Sequence, residues 1–206
     1  MARRSLTTRR LLGLDRSGPQ PEATRRGAPL NPWTIPNAIG FARLALIPVF
    51  LVLALGSGDG RIASASIVYA VVGGTDYLDG IAARVTGQYS RLGKLLDPLT
   101  DRMLVVAGVI VCWKFELLPR WALAVLAARE LVMLGATRLA MRRGLDFEVN
   151  MLGRWAVWPT MFSLFLAMVS VTWVAEALLF LGLAMSIGAT VLYFRDALGE
   201  RPSSSA

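Results

Sequence analysis

The chain has 206 residues, 55% of them hydrophobic, a mean hydropathy of +0.53, a formal charge of +8 and no histidine. Such a composition excludes an ordinary soluble domain of this length. The missing histidines exclude Ser-His-Asp, Cys-His and His–metal chemistry, together with lipid enzymes built on paired catalytic histidines. The single Cys112 excludes a disulfide framework and a thiolate zinc site.

Residues 1–27 carry seven arginines against Asp15 and Glu22, punctuated by Gly, Pro, Ser and Thr. Residues 1–30 read as a flexible basic tail attracted to anionic lipid heads, with room for a short amphipathic helix around Thr8–Leu14. No aromatic residue interleaves with the arginines, so nucleic acid is not an expected partner. The tail also lacks the apolar core and small-residue cleavage site of a signal peptide.

Six apolar segments follow: Trp33–Ser57, Ile62–Ala82, Leu95–Phe115, Trp121–Met141, Trp155–Ala175 and Ala177–Phe194. The last two are free of charge and have the length of bilayer spans. Glu176 between them is expected in a tight turn at the water interface. The pattern predicts an all-α integral membrane domain of six transmembrane helices over 31–198, then a disordered tail over 199–206. Lys and Arg number 16 in the tail and the loops at 84–94, 138–154 and 195–201, against 3 in the opposite loops. By the positive-inside rule both termini are cytoplasmic.

In the first segment Thr34 is placed to cap a helix with Pro36 in its first turn, and Pro48 is expected to kink it. Asn37 and Arg43 lie in its cytoplasmic half. They admit two readings, a helix–helix hydrogen bond with snorkelling, or a contact to substrate.

The stretch DYLDGIAARVTGQYSRLGKLLDPLTD, residues 76–101, holds four aspartates. Helical spacing puts Asp76, Asp79, Gly80 and Ala83 on one face with Arg84 beside it, and Gly93, Asp97 and Asp101 on a second stripe. The link VTGQYSR is short enough to make the two helices antiparallel neighbours, so that the carboxylate pairs face each other near the water–lipid boundary. Four such carboxylates cost on the order of 10 kcal/mol unless they face a wet cavity and are neutralised. Converging oxygen donors suit hard cations, Mg²⁺ or Mn²⁺, and two ions sharing a carboxylate clamp a phosphoryl group. Gly80, Ala83 and Gly93 leave room for a bulky ligand, and Arg84 can take a phosphate oxygen bidentately. Intramembrane salt bridges to Arg84 and Arg102 alone leave the interleaved small residues unexplained.

The pattern D-x-x-D-G-x-x-A-R, eight residues, then G-x-x-x-D-x-x-x-D, resembles the signature of the CDP-alcohol phosphotransferase family. It is met by Asp76, Asp79, Gly80, Ala83, Arg84, Gly93, Asp97 and Asp101. The resemblance extends over residues 30–198. It implies a homodimeric enzyme of the cell membrane, its site facing the cytoplasm, acting on a CDP-linked lipid, usually CDP-diacylglycerol, with Mg²⁺ or Mn²⁺, two ions per site. Carried over, Asp76, Asp79 and Asp97 look like metal ligands and Asp101 like a further ligand or the general base, with Asp97 and Asp101 as the catalytic pair. Gly80, Ala83, Arg84 and Gly93 look like the part that binds the CDP-lipid. An acceptor hydroxyl then attacks the lipid-side phosphorus and CMP leaves.

Arg129, Arg138, Lys94 and Arg154 are candidate ligands for a small anionic alcohol, whereas Arg142 and Arg143 fit the positive-inside rule. The stretches IPNAIGFARLALIPVF, GKLLDPLTDRMLV and ARELVMLGATRLAMRRG look most like the branch that uses glycerol 3-phosphate and makes phosphatidylglycerophosphate. They also look like the branch that uses phosphatidylglycerol and makes cardiolipin, and VNMLGRW has Arg154 where both branches carry lysine. The order of expectation is glycerol 3-phosphate, phosphatidylglycerol, then inositol phosphate. A small cation transporter is the alternative of another class. The aspartates cluster toward one membrane face, no acidic residue continues through spans one, five or six, and no inverted repeat is visible. A lipid-bound scaffold leaves the aspartates unexplained.

Overall fold

The first helix begins where local chemistry predicts. Thr34 Oγ1 accepts the N–H of Asn37 at 3.4 Å, the Thr34 carbonyl accepts that of Ala38 at 3.0 Å, and Pro36 occupies the first turn, where no N–H is needed. A computed structural model describes residues 31–88, 90–142, 151–170 and 173–199. Among them the regular structure is six helices and no strand: α1 (Ile35–Gly56), α2 (Ala63–Thr86), α3 (Arg91–Lys114), α4 (Arg120–Arg142), α5 (Met151–Val169) and α6 (Trp173–Gly199). The basic tail, with its expected amphipathic helix, and the chain beyond residue 199 lie outside the described residues.

The first four helices follow the expected segments to within a few residues. The last pair differs. α5 stops at Val169, with the Ser170 N–H on the Leu166 carbonyl, and α6 has already begun at Trp173. Glu176 therefore lies in the first turn of α6 and not in the connecting turn. A carboxylate there sits against the positive end of the helix dipole, which a turn would not offer it. Among the described residues, α1 and the Trp173–Leu192 part of α6 are the helices long and apolar enough to cross a bilayer by themselves. Ala63–Thr75 and Trp155–Val169 are shorter apolar stretches.

The chain forms two compact units. The first gathers the described residues up to 53 with residues 64–104. Its core contains Ile47, Phe50, Tyr69, Val72, Leu96 and Leu104, with the Phe50 and Tyr69 rings 5.2 Å apart. Polar side chains are buried among them, notably Asn37, Arg43, Ser90 and Thr100. Thr100 satisfies its hydroxyl on the Leu96 carbonyl one turn back. The α2–α3 link opens with Gly87 at φ 66°, a left-handed residue that ends a helix without a Cβ penalty.

The second unit holds residues 54–63 and the described residues from 105 onward. α5 and α6 pack antiparallel in it. Ser163 donates to the Ala175 carbonyl at 2.6 Å, and a Cβ on Gly182 would fall 2.3 Å from Thr160 Oγ1 and 3.0 Å from its backbone nitrogen. Only glycine lets the two backbones come this close, the small-residue contact typical of helices packed in lipid. Trp121 of α4 stacks on Phe180 of α6. Trp33, Trp121, Trp155 and Trp173 are exposed at or near helix starts, the position aromatic residues take at a membrane–water interface.

Candidate active site

All four motif aspartates belong to the first unit. The last turns of α2 carry Asp76, Asp79, Gly80, Ala83 and Arg84, and the first half of α3 carries Gly93, Lys94, Asp97 and Asp101. A Cβ on Gly73 would lie 3.7 Å from Leu104, and these residues are equally far from the link along α2 and α3. That is the register of an antiparallel pair, as the short link requires. The side chains of Asp76, Asp79, Gly80, Arg84 and Lys94 fall outside the described ones. Asp97 and Asp101 stand one turn apart, about 6 Å of rise, and both are partly exposed.

α3 is capped by a three-residue network. Ser90 is its N-cap: the hydroxyl oxygen accepts the Gly93 N–H at 2.9 Å and the hydroxyl donates to Asn37 Oδ1 at 2.8 Å. Asn37 Nδ2 donates in turn to the carbonyls of Asn31 and Pro32. Asn37 is 1% exposed, so it bonds helix to helix and does not meet substrate directly. The same network explains Gly93. A Cβ at this position would lie 2.8 Å from Asn37 Oδ1 and 3.1 Å from Ser90 Oγ. The bare face at Gly93 is therefore filled by Asn37 and Ser90, which the motif alone does not reveal.

Arg43 resolves in the same way. It lies on α1 with its side chain 2% exposed, and its Nη2 donates to Asp101 Oδ1 at 3.0 Å while its Nε donates to the Val72 carbonyl at 3.0 Å. Buried guanidinium charge needs such partners. The available signal was the cost of burying an arginine in an apolar span beside a carboxylate motif, which names a class of partner without a position.

Of the expected acceptor ligands, Lys94 is on α3 in the first unit with the aspartates, and the other three are in the second. Arg129 and Arg138 are on α4 and Arg154 on α5, all in the second unit. The side chains of Arg138 and Arg154 are outside the described ones. Arg129 pairs with the adjacent Glu130 and donates from Nε to Thr190 Oγ1 at 3.2 Å, with both members of the ion pair 13% exposed. The anion that an arginine at this depth requires is thus supplied by the chain itself.

The donor chemistry of the first unit fits a hard divalent cation. Asp97 and Asp101 offer turn-spaced carboxylates with partial access to solvent, and the chain has no imidazole. Cys112 is buried in the second unit and does not compete. Among the described side chains no three potential ligands come together, and those of Asp76 and Asp79 lie outside the described ones.

A sequence profile described as CDP-alcohol phosphatidyltransferase matches residues 33–190. The cardiolipin synthase (CMP-forming) of Streptomyces coelicolor is 38% identical over 78% of this chain and 78% of its own. The CDP-diacylglycerol–glycerol-3-phosphate 3-phosphatidyltransferase of Bacillus subtilis is 33% identical over 61% of this chain and 72% of its own. The human cardiolipin synthase (CMP-forming) is 36% identical over 52% of this chain and 35% of its own.

Proposed function

Because the chain belongs to the CDP-alcohol phosphatidyltransferase family, and is thereby a transferase of phospholipid biosynthesis, we propose that it moves the phosphatidyl group of CDP-diacylglycerol to phosphatidylglycerol, yielding cardiolipin and CMP. The observation that carries this choice is the 38% identity to a CMP-forming cardiolipin synthase, held over 78% of both chains. Glycerol 3-phosphate is the second reading, supported by 33% identity over 72% of the Bacillus subtilis enzyme.

The protein acts in a membrane. The helices of 22 to 27 residues are about 33–40 Å long at 1.5 Å per residue, longer than a hydrocarbon core of about 30 Å, and α5, with 19 residues, is about 28 Å long and falls just short of it. With the lysine and arginine bias, this favours six spans, cytoplasmic termini and a site opening to the cytoplasm of the cell membrane. The enzyme works there as a homodimer.

Asp76, Asp79, Asp97 and Asp101 would hold the divalent metal, which when bound neutralises the pyrophosphate of the CDP-lipid. Arg84 takes a phosphate oxygen of the same group. The acceptor hydroxyl gives its proton to the Asp101 carboxylate as its oxygen bonds to the lipid-side phosphorus. The bond from that phosphorus to the bridging oxygen breaks, and the electron pair leaves with CMP. Arg43, on Asp101 Oδ1, fixes the orientation of the carboxylate that receives the proton.

The test is CMP release by purified protein in lipid–detergent micelles with CDP-diacylglycerol and Mg²⁺, each acceptor supplied alone. Phosphatidylglycerol is expected to raise release at least tenfold above glycerol 3-phosphate, inositol phosphate or serine, the discrimination given by about 1.4 kcal/mol or more of acceptor binding. Release with glycerol 3-phosphate alone would move the enzyme to the phosphatidylglycerophosphate branch. No release with any acceptor would refute transfer.

A further inference from the structure

Arg43 sits between the two halves of the aspartate motif. The Val72 carbonyl that accepts its Nε–H is the one that the i→i−4 pattern pairs with the N–H of residue 76. One edge of the guanidinium thus holds the turn of α2 that leads into Asp76. Its Nη2 holds Asp101, the last carboxylate of the α3 half. Both of these groups are distant from Arg43 in sequence: Val72 is 29 residues away and Asp101 is 58. A single planar group on α1 therefore fixes α2 and α3 against each other at the level of the carboxylates.

Exposure separates the two roles an arginine could have here. The Arg43 side chain is 2% exposed and the Asp101 side chain 29%. Solvent, and a ligand entering from it, reaches Asp101 and stops short of Arg43. Electrostatic support by direct contact with a phosphate is thus closed to Arg43, while support through Asp101 and the α2 backbone is open. We infer that Arg43 is a positioning residue for the transfer, holding the Asp101 carboxylate against the turn of α2 that leads into Asp76 without touching substrate. This inference rests on the reading of those aspartates as the reaction centre.

A lysine at 43 keeps the charge but presents one ammonium, which cannot reproduce a planar edge shared between a carbonyl on α2 and a carboxylate on α3. Small misplacement of reacting groups costs about a hundredfold in rate. Arg43→Lys is therefore expected to lower kcat by about 30- to 100-fold, with the KM for CDP-diacylglycerol within about threefold of wild type, since the groups that bind the nucleotide are untouched. Arg43→Gln, which keeps a donor and loses the charge, is expected to fall at least as far.

The measurement is CMP release against CDP-diacylglycerol concentration, for the full chain in micelles. Turnover is normalised to the fraction of protein that binds CDP-diacylglycerol, so that a partly misfolded variant still gives a value. A kcat per binding-competent molecule within about threefold of wild type in both variants would overturn the inference and leave Arg43 a purely structural bond. A rise in KM with kcat unchanged would overturn it as well, by making Arg43 a binding group. Absence of CMP release from the wild-type chain is a different result: it would remove the transferase reading, and this inference with it.

Discussion

Asp97→Asn and Asp101→Asn are each expected to lower CMP release by about a thousandfold or more, within the range for losing a general base or a metal-clamping carboxylate. Asparagine matches aspartate in size and keeps one carbonyl oxygen, so packing is preserved while the negative charge and the proton-accepting oxygen are lost. The two variants should differ in stability. Asp101 is bonded to the buried Arg43 at 3.0 Å, and the amide that replaces its carboxylate would offer that guanidinium a neutral acceptor where a charged one stood. Hydrogen bonds to charged groups contribute about 1.5–3 kcal/mol against about 1 for neutral ones. Asp101→Asn should therefore lower unfolding stability by about 1 kcal/mol, seen as a lower midpoint in SDS unfolding, in addition to its loss of turnover. Near-normal turnover in either variant would remove the proposed mechanism. An unchanged midpoint for Asp101→Asn would show that the Arg43 bond contributes geometry and not stability.

The sequence made local features legible. Thr34 and Pro36 are adjacent signals for the start of α1, and Gly87 is the residue type that ends a helix such as α2. The α5–α6 boundary was harder, because residues 155–175 are uniformly apolar and the nearest charge, Glu176, looked like a turn residue. Its placement follows from the helix dipole, which periodicity does not carry. The aspartate motif was legible for the same reason as the caps, since its residues lie within one helical hairpin. Asn37 and Arg43 were not, because their partners lie 53 and 58 residues away. The cost of a buried polar group identifies the kind of partner it needs, and only the packing of α1 on α2 and α3 identifies which one. Arg129 is the reverse case. Its partner Glu130 is the next residue, and the structure decides that this neighbour is the one that answers its charge.

Gly93 offers the second large effect, and a way to separate packing from ligand binding. A methyl group at this position would come 2.8 Å from Asn37 Oδ1 and 3.1 Å from Ser90 Oγ. A side-chain tip can usually swing away from such a contact. Asn37 is buried, though, and its amide donates to two backbone carbonyls while its oxygen accepts from Ser90. Gly93→Ala must displace this network or push the start of α3 aside, which overpacking puts at about 1–3 kcal/mol. Asn37→Ala leaves the buried Ser90 hydroxyl without its acceptor and the Asn31 carbonyl without this donor, while the Pro32 carbonyl keeps the Thr34 N–H, a loss of about 1–3 kcal/mol. The two changes act on one contact, so in the double variant the cost of Gly93→Ala should shrink by at least about 1 kcal/mol, a coupling typical of touching residues. The cycle is read from SDS unfolding of the four proteins, with CMP release measured in parallel. Turnover should follow the same order, because the N-cap of α3 lies one turn before Gly93 and two turns before Asp97. If the two costs simply add while Gly93→Ala raises the KM for CDP-diacylglycerol, the glycine serves the ligand and not Asn37. Shrinkage of the cost with KM unchanged assigns it to the cap, and makes the first turn of α3 the foundation on which Asp97 and Asp101 are held.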